Sequence, residues 1–446
     1  MWLLFFIALI TGCVVGLLPG VGLLFTMIIF FPFLKGLPPE QLIMFYLVVG
    51  GTSQFTGSVI ASILGIPGEN SSIPASIEGT RLFRTGRLPE ALSTCAIGSM
   101  IGTFVISIFL ILLLKHLETH VATFFNNTTQ LFLFVVSSFF LIFSSKKKYV
   151  GILLFLLGCL LSMIGFDQIS NNTRLTFGLT FLQSGIPFAS LMTALFTMPY
   201  LYRYIEEKSE MKKISRSYVK IAGWSESWRT WWEHRWSSAR GIVIGSICGL
   251  VPGLTTILSS NFSYHVEKTF RMKKNIYKKN GDLNSLISAE TANNAGQLTS
   301  VIPLFLFGLP ILASEAVLIN LIEKGGFKVA GTALLQADIL GTVCFFFMLS
   351  AILAMIVSWY GVKYLMLIHC LPKKIHVWVM IFINIFVLLM SGIINYNLYS
   401  TILCFILLLP LGYILRKTDL QILIFAAVIY PMLELIIFRF YQLNFQ

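Results

Sequence analysis

The sequence predicts an all-α polytopic membrane protein, with about ten to thirteen transmembrane or re-entrant helices in two repeated halves and broken helices at the centre. Three observations predict it. Charged residues are too few to cover a soluble surface, a dozen apolar runs fill most of the length, and two of those runs are interrupted by matching Pro-Gly pairs.

Of the 446 residues, 56% are hydrophobic and only 11% are charged. A soluble domain carries about 25% charged residues, so the solvent of this chain must be lipid. The net charge of +13 sits in a few loops between apolar runs. That is the positive-inside pattern of a multi-pass protein, so membrane lipids are expected as partners and nucleic acid is not. Cys13, Cys95, Cys159, Cys248, Cys344 and Cys404 lie inside apolar runs, with Cys370 near the end of another, and no CxxC or Cys/His ligand spacing occurs. No metal site, disulfide framework or cofactor is expected.

The apolar runs fall at 2–34, 42–66, 92–114, 121–143, 150–166, 176–202, 241–262, 284–322, 331–358, 376–394, 399–415 and 420–438. The first lacks a basic leader and is too long for a signal peptide core, so it reads as a retained membrane segment. It is broken by Pro19-Gly20, and run 241–262 by Pro252-Gly253. A Pro-Gly break leaves backbone groups unpaired. A bilayer tolerates that only where protein, water or solute pairs them again.

Basic clusters orient the chain. Arg81, Arg84 and Arg87 form one, Lys146–Lys148 a second, the stretch 203–240 a third, and Arg271 to Lys279 a fourth. Even numbers of spans separate the first three, so all can be cytoplasmic. The fourth is cytoplasmic only if segment 241–270 enters the membrane and returns as a hairpin. The stretch 203–240 divides the chain into repeats 1–202 and 241–446. It holds Trp224, Trp228, Trp231, Trp232 and Trp236, which fall within about 140° of one helix face. That face predicts an amphipathic helix in the headgroup layer, with a protein-covered connector as the alternative.

The two halves share motifs in the same order. Gly16-Leu17-Leu18-Pro19-Gly20 matches Gly249-Leu250-Val251-Pro252-Gly253, and Gln54-Phe55-Thr56 matches Gln297-Leu298-Thr299. Eleven residues after each Gln stands Gly65-Ile66-Pro67 or Gly308-Leu309-Pro310. Ordered recurrence predicts a structural duplication. Paired broken segments in two halves are the best sequence pointer to a transport site, because half-helix ends aim peptide dipoles at a solute. The candidate substrate- or ion-binding residues are therefore Pro19, Gly20, Ser53, Gln54, Thr56, Pro67, Gly68, Asn70 and Ser71 in the first half. In the second they are Pro252, Gly253, Thr255, Asn293, Asn294, Gln297, Thr299, Gly308 and Pro310. Small-residue helix packing is the competing reading for lone Ser and Gly. Asn293-Asn294 beside a broken helix favours a site, since amides are costly in hydrocarbon unless paired.

At these residues the sequence resembles the large membrane subunit of the tripartite tricarboxylate transporter family. The likeness rests on the twin Gly-x-x-Pro-Gly segments and on Ile66-Pro67-Gly68 followed by Glu78-Gly79. It rests also on Ser263-Tyr264 with Glu267-Lys268, Glu290 with Ala292-Asn293-Asn294-Ala295, and Gly165-Phe166-Asp167 with Arg174 and Gly178. The resemblance implies a permease subunit of a bacterial-type inner membrane that imports small organic anions, di- or tricarboxylates, on a sodium or proton gradient. It further implies a small four-helix membrane subunit and a periplasmic substrate-binding protein as partners. Two departures stand out. Glu69-Asn70 replaces the family's Thr-Pro, either as a cation ligand or as a loop residue, and Ile311 replaces a glycine after Pro310.

Asp338, Glu434 and Glu315 are carboxylates in or near apolar runs and invite an ion role, although Arg439 is close enough in sequence to pair with Glu434. Asp167 and Arg174 read as loop and capping residues. The Asn-x-Ser/Thr triplets at Asn70, Asn126, Asn127, Asn171 and Asn261 read as chance. No HExxH, Gly-x-Ser-Gly or Walker motif occurs, which argues against an enzyme and against ATP use by this chain. A channel or scaffold remains the rival to a transporter.

Overall fold

In hydrocarbon every backbone polar group needs an internal partner, and a helix supplies one. The computed structural model describes residues 1–17, 22–64, 70–117, 147–167, 172–206, 223–250, 256–307, 313–327, 337–365, 372–394 and 397–418, with isolated positions between 135 and 142 and between 420 and 437. The helices are α1 (Trp2–Gly16), α2 (Leu23–Leu34), α3 (Pro39–Leu64), α4 (Thr80–Arg84), α5 (Leu88–Leu117), α6 (Lys148–Ser162), α7 (Phe188–Met192) and α8 (Met198–Glu206). They continue as α9 (Trp224–Glu233), α10 (Arg235–Leu250), α11 (Thr256–Lys273), α12 (Leu283–Phe307), α13 (Ala313–Lys324), α14 (Ala337–Leu365), α15 (Lys373–Ile394) and α16 (Leu398–Leu415). Among the described residues the one sheet is a two-residue antiparallel pair, Gly165–Phe166 with Thr173–Arg174. By length and composition Pro39–Ile63, Leu88–Leu113, Ile339–Val357 and Leu398–Leu415 can each cross a membrane, and Trp2–Gly16, Lys148–Ser162 and Val377–Ile393 are shorter apolar helices. The chain is an all-α polytopic membrane protein.

Contacts made in one half recur in the other. Helix α1 lies along α3, and α10 lies along α12. Helix α14 packs on α3, and α5 packs on α12; α2 meets α13, and α11 meets the short turn Asn70–Ser72. Glycines set the closest approaches. A side-chain carbon on Gly12 or Gly16 would collide with the carbonyls of Val49 and Ser53, and one on Gly245 or Gly249 with those of Ala292 and Gly296. Backbone cannot step aside, so only glycine lets these helix pairs close. Just before α3 and α12, Gly36 and Gly281 both adopt positive φ, 85° and 120°.

Helices α10 and α11 pack against each other and are tied at one end. Arg240, early in α10, donates to Glu267, late in α11, through Nε at 2.6 Å and Nη2 at 2.8 Å. Ser237 Oγ donates to the same carboxylate at 2.9 Å. The outer ends of the pair are thus held at one level, while the inner ends lead into 251–255. At that outer level Arg81 Nη1 donates to Tyr277 Oη at 2.8 Å, joining the first and last of the four basic clusters.

The tryptophan-rich stretch departs from the single amphipathic helix expected. Helix α9 ends at Glu233 and α10 starts at Arg235, with His234 between them. The indole face is divided. Trp228 and Trp231 pack against a core holding Phe55, Leu92, Ala96 and Trp359, whereas Trp232 and Trp236 are 60% and 65% exposed. Protein thus covers one part of that face and leaves the rest open.

A second apolar cluster joins Leu154 on α6, Leu191 on α7 and Leu408 on α16. Beside it Arg174 donates to Glu434 through Nη1 at 2.6 Å and Nη2 at 2.9 Å, with Asp167 at 3.5 Å. Glu434 thus pairs with Arg174 from the strand pair; Arg439, the neighbour in sequence, lies outside the described residues. A contact across 260 residues cannot be read from local spacing.

Candidate functional site

The two long polar helices α3 and α12 cross in opposite directions, since Ser58, downstream of Gln54, meets Glu290, upstream of Gln297. At the crossing Gln54 Nε2 donates to Gln297 Oε1 at 2.7 Å, so the matched glutamines of the two motifs touch each other. Gly50 makes room: a side-chain carbon there would lie 2.8 Å from Gln297 Nε2. Both glutamines are buried.

Several amide atoms at this crossing have no hydrogen-bond partner among the described residues. They are Gln54 Oε1, Gln297 Nε2, and both Oδ1 and Nδ2 of Asn293, which is fully buried. Asn293 precedes Gln297 by one turn on the same face of α12. A buried polar group left unpaired costs about 1–3 kcal/mol, so a cluster of them marks a place suited to solute, water or ion.

Asn294 points elsewhere. Its Nδ2 donates to the Glu290 carbonyl at 3.2 Å, and its side chain lines a pocket between α3, α5, α12 and α14. Gly51, Ser99, Thr103, Phe347 and Ser350 share that wall. The sequence reading missed this contribution from α5 and α14. A signal was present: Ser99, Thr103 and Ser107 recur every four residues in an apolar helix, and all three are buried.

Other expected site residues bond within their own helices. Ser53 Oγ donates to the Gly50 carbonyl at 3.1 Å, Thr56 Oγ1 to Thr52 at 3.0 Å and Thr299 Oγ1 to Ala295 at 3.0 Å. Thr56 packs against Gly16 and Thr299 against Gly249. These hydroxyls are satisfied on their own helices and serve helix packing. Ser71 is buried; its carbonyl accepts from Ser260 Oγ at 2.7 Å, and its hydroxyl has no partner among the described residues. Pro19, Gly20, Pro67, Gly68, Pro252, Gly253, Thr255, Gly308 and Pro310, together with Glu69, lie outside the described residues, as do the side chains of Asn70 and Asp338.

A carboxylate cluster seals the side where the basic residues gather. Glu78, fully buried, accepts from Tyr264 Oη at 2.9 Å, Tyr277 Oη at 2.7 Å, the Asp282 amide at 2.9 Å and Arg81 Nη1 at 3.1 Å. Burial and the adjacent Glu78 carboxylate push the Tyr277 phenol up. Asp282 in turn receives Arg271 Nε at 3.0 Å. Glu315, also buried, accepts from Ser300 Oγ at 3.1 Å, and Tyr46 Oη meets Ser314 Oγ at 3.2 Å. Among the described residues no group of three His, Cys, Asp or Glu side chains could hold a metal ion.

The model of the Tripartite tricarboxylate transporter TctA family matches residues 2–426. The chain belongs to that family. It is also similar to a protein of Agrobacterium vitis described as an uncharacterized 52.8 kDa protein in TAR-I ttuC' 3'region, with 30% identity over 309 residues covering 68% of the chain. The chain spans about 60% of that relative's length. No solved structure matches the chain. Among the residues that carried the TctA resemblance, Tyr264 donates to Glu78, whereas Asp167 and Arg174 sit with Glu434. Glu267 is held by Arg240 and Ser237, while Glu290, Asn293 and Asn294 stand further along α12, toward the glutamine crossing.

Proposed function

We propose that this TctA-family chain is the permease subunit of a secondary active transporter that imports small organic anions, di- or tricarboxylates, across a bacterial inner membrane. A sodium or proton gradient drives it. A small four-helix membrane subunit and a periplasmic binding protein complete the system. The observation that carries the reading is the bonded pair Gln54–Gln297, which joins the matched motifs of two antiparallel helices and leaves unpaired amide atoms beside it. The matched motifs and the parallel packing of α1 on α3 and α10 on α12 support reading two inverted halves, and with them alternating access around a fixed site. Amide and peptide N–H groups can hold a carboxylate there without a buried lysine or arginine.

Uptake of radiolabelled citrate into right-side-out vesicles from cells co-expressing the three subunits tests this. Wild-type vesicles should accumulate citrate only while an ion gradient is maintained. Asn294→Ala should reach the membrane in normal amount yet lose about tenfold or more of uptake, a cost of roughly 1.4 kcal/mol or greater. Accumulation that survives collapse of both gradients, or normal uptake by Asn294→Ala, would count against it. Passive equilibration without accumulation would favour a channel.

A further inference from the structure

Among the described residues most carboxylates in buried surroundings face a guanidinium. Glu78 has Arg81, Glu267 has Arg240, Asp282 has Arg271, and Arg174 serves both Asp167 and Glu434. Glu290 is different. It is 3% exposed on α12, and no Lys, Arg or His among the described residues pairs with it. Its Oε1 accepts from Ser58 Oγ on α3 at 2.8 Å.

The groups that face it are neutral; helix α11 brings Ser263, bonded to Ser288 at 2.7 Å, and its Glu267 is committed to Arg240. Helix α3 brings Ser58. Helix α5 brings Ser99, whose hydroxyl donates to the Glu290 carbonyl at 3.3 Å, and Cys95, the titratable neighbour. Helix α10 brings Ser238, bonded to the adjacent Thr291 at 3.1 Å. Glu78, on the turn near the start of α12, is committed to Arg81, Tyr264 and Tyr277. An uncompensated anion in a low-dielectric interior is not a stable resident; it takes up a positive partner or a proton. A hard cation needs a shell of several oxygen atoms. Here Ser58 donates to the Glu290 carboxyl, while Ser99 and Asn294 spend their donors on its backbone carbonyl.

Placement gives this carboxyl a function. Asn294 stands one turn along on the same face of α12 and lines the pocket with Ser99, Thr103 and Ser350. Glu290 thus stands one helical turn from a residue of that pocket, whose mostly apolar wall carries these few polar groups. We propose that Glu290 is the coupling site for the driving ion and that this ion is a proton. The carboxylate binds a proton from the outer side when the site faces outward. It releases that proton to the cytoplasm when the site faces inward, so that proton and anion cross together. Ser58 is a positioning residue that holds the carboxyl toward α3. This inference rests on the transport reading above.

Two measurements separate the inference from that reading. The first is pH-titrated infrared difference spectroscopy on the purified full chain in lipid. Wild type should show a protonated-carboxyl stretch that is absent in Glu290→Gln and shifted in frequency in Ser58→Ala. The second is citrate transport in the three-subunit vesicles. Glu290→Gln keeps the side-chain shape and the Ser58 contact, so it should retain citrate–citrate exchange, now independent of pH, while losing accumulation driven by a proton gradient. A carboxyl band unchanged in Glu290→Gln overturns the proton site. Proton-driven accumulation by Glu290→Gln, or wild-type accumulation driven by sodium and indifferent to pH, overturns the coupling role. Failure of wild type to move citrate under any gradient overturns the transport reading, and the coupling role with it, whatever the infrared band shows.

Discussion

At the scale of single residues, His234 shows how a short break between helices acquires a chemical property. It sits where α9 gives way to α10, and burial holds its imidazole below the ordinary value, with the Arg271 charge acting the same way. Asn284 reaches it at 2.9 Å from Nδ1 when the amide oxygen faces Arg271. The folded protein therefore prefers the neutral ring, while the unfolded chain titrates near about 6.5. Stability from this group is complete above that value and is lost as pH falls through the lower folded-state value. Thermal melts of the purified protein in detergent should show a fall in melting temperature below about pH 6.5 that is smaller in His234→Gln. An equal fall in the variant would remove His234 as the source. The glycines make a second residue-scale case. Gly249→Val meets the Gly296 backbone and Thr299 and should cost roughly 1–3 kcal/mol or more. Gly341→Ala, with nothing within 4 Å, should be neutral or slightly stabilising. Melting both variants against wild type checks this.

At the scale of elements, the α10–α11 pair depends on a clamp at one end. Arg240 and Ser237 together satisfy the Glu267 carboxylate, which is almost fully buried. Arg240→Ala leaves that carboxylate with hydroxyl donation alone. Hydrogen bonds to charged groups are worth about 1.5–3 kcal/mol, and the partly exposed guanidinium places the expected loss at the lower end of that range. The change should also loosen the pair, seen as faster amide exchange across residues 256–273, where α11 has lost its tether. Unchanged exchange there would mean that helix packing alone holds the pair. The divided tryptophan face belongs to this scale too. Periodicity finds an indole stripe, but it cannot say which of those rings α5 and α14 cover.

At the scale of the molecule, the Gln54–Gln297 pair is where the two halves meet. Gln54→Leu or Gln297→Leu alone leaves an amide buried without its partner, at a cost of about 1–3 kcal/mol. The double variant replaces both and should be less destabilised than the sum of the singles, a non-additivity expected only of residues in contact. Thermal melts of the four proteins measure it, and strict additivity would show that the glutamines do not interact. Citrate uptake should be lost in all three variants if the crossing is also the transport centre.

The sequence by itself determined the solvent, the helical class, the paired motifs and the family likeness. Each of these follows from composition and from short ordered strings such as Gly16–Gly20 and Gly249–Gly253. It also pointed to Asn293 and Gln297, because amides inside apolar helices need a reason to be there. Only the tertiary structure decided which polar residues face one another. Ser53, Thr56 and Thr299 turned to their own helices, Glu434 found Arg174, and Glu290 came to rest beside Ser58 with no guanidinium among the described residues. The physical reason is that hydroxyl, amide and carboxyl groups have several ways to satisfy a hydrogen bond. Spacing along the chain cannot choose among them until the helices are packed.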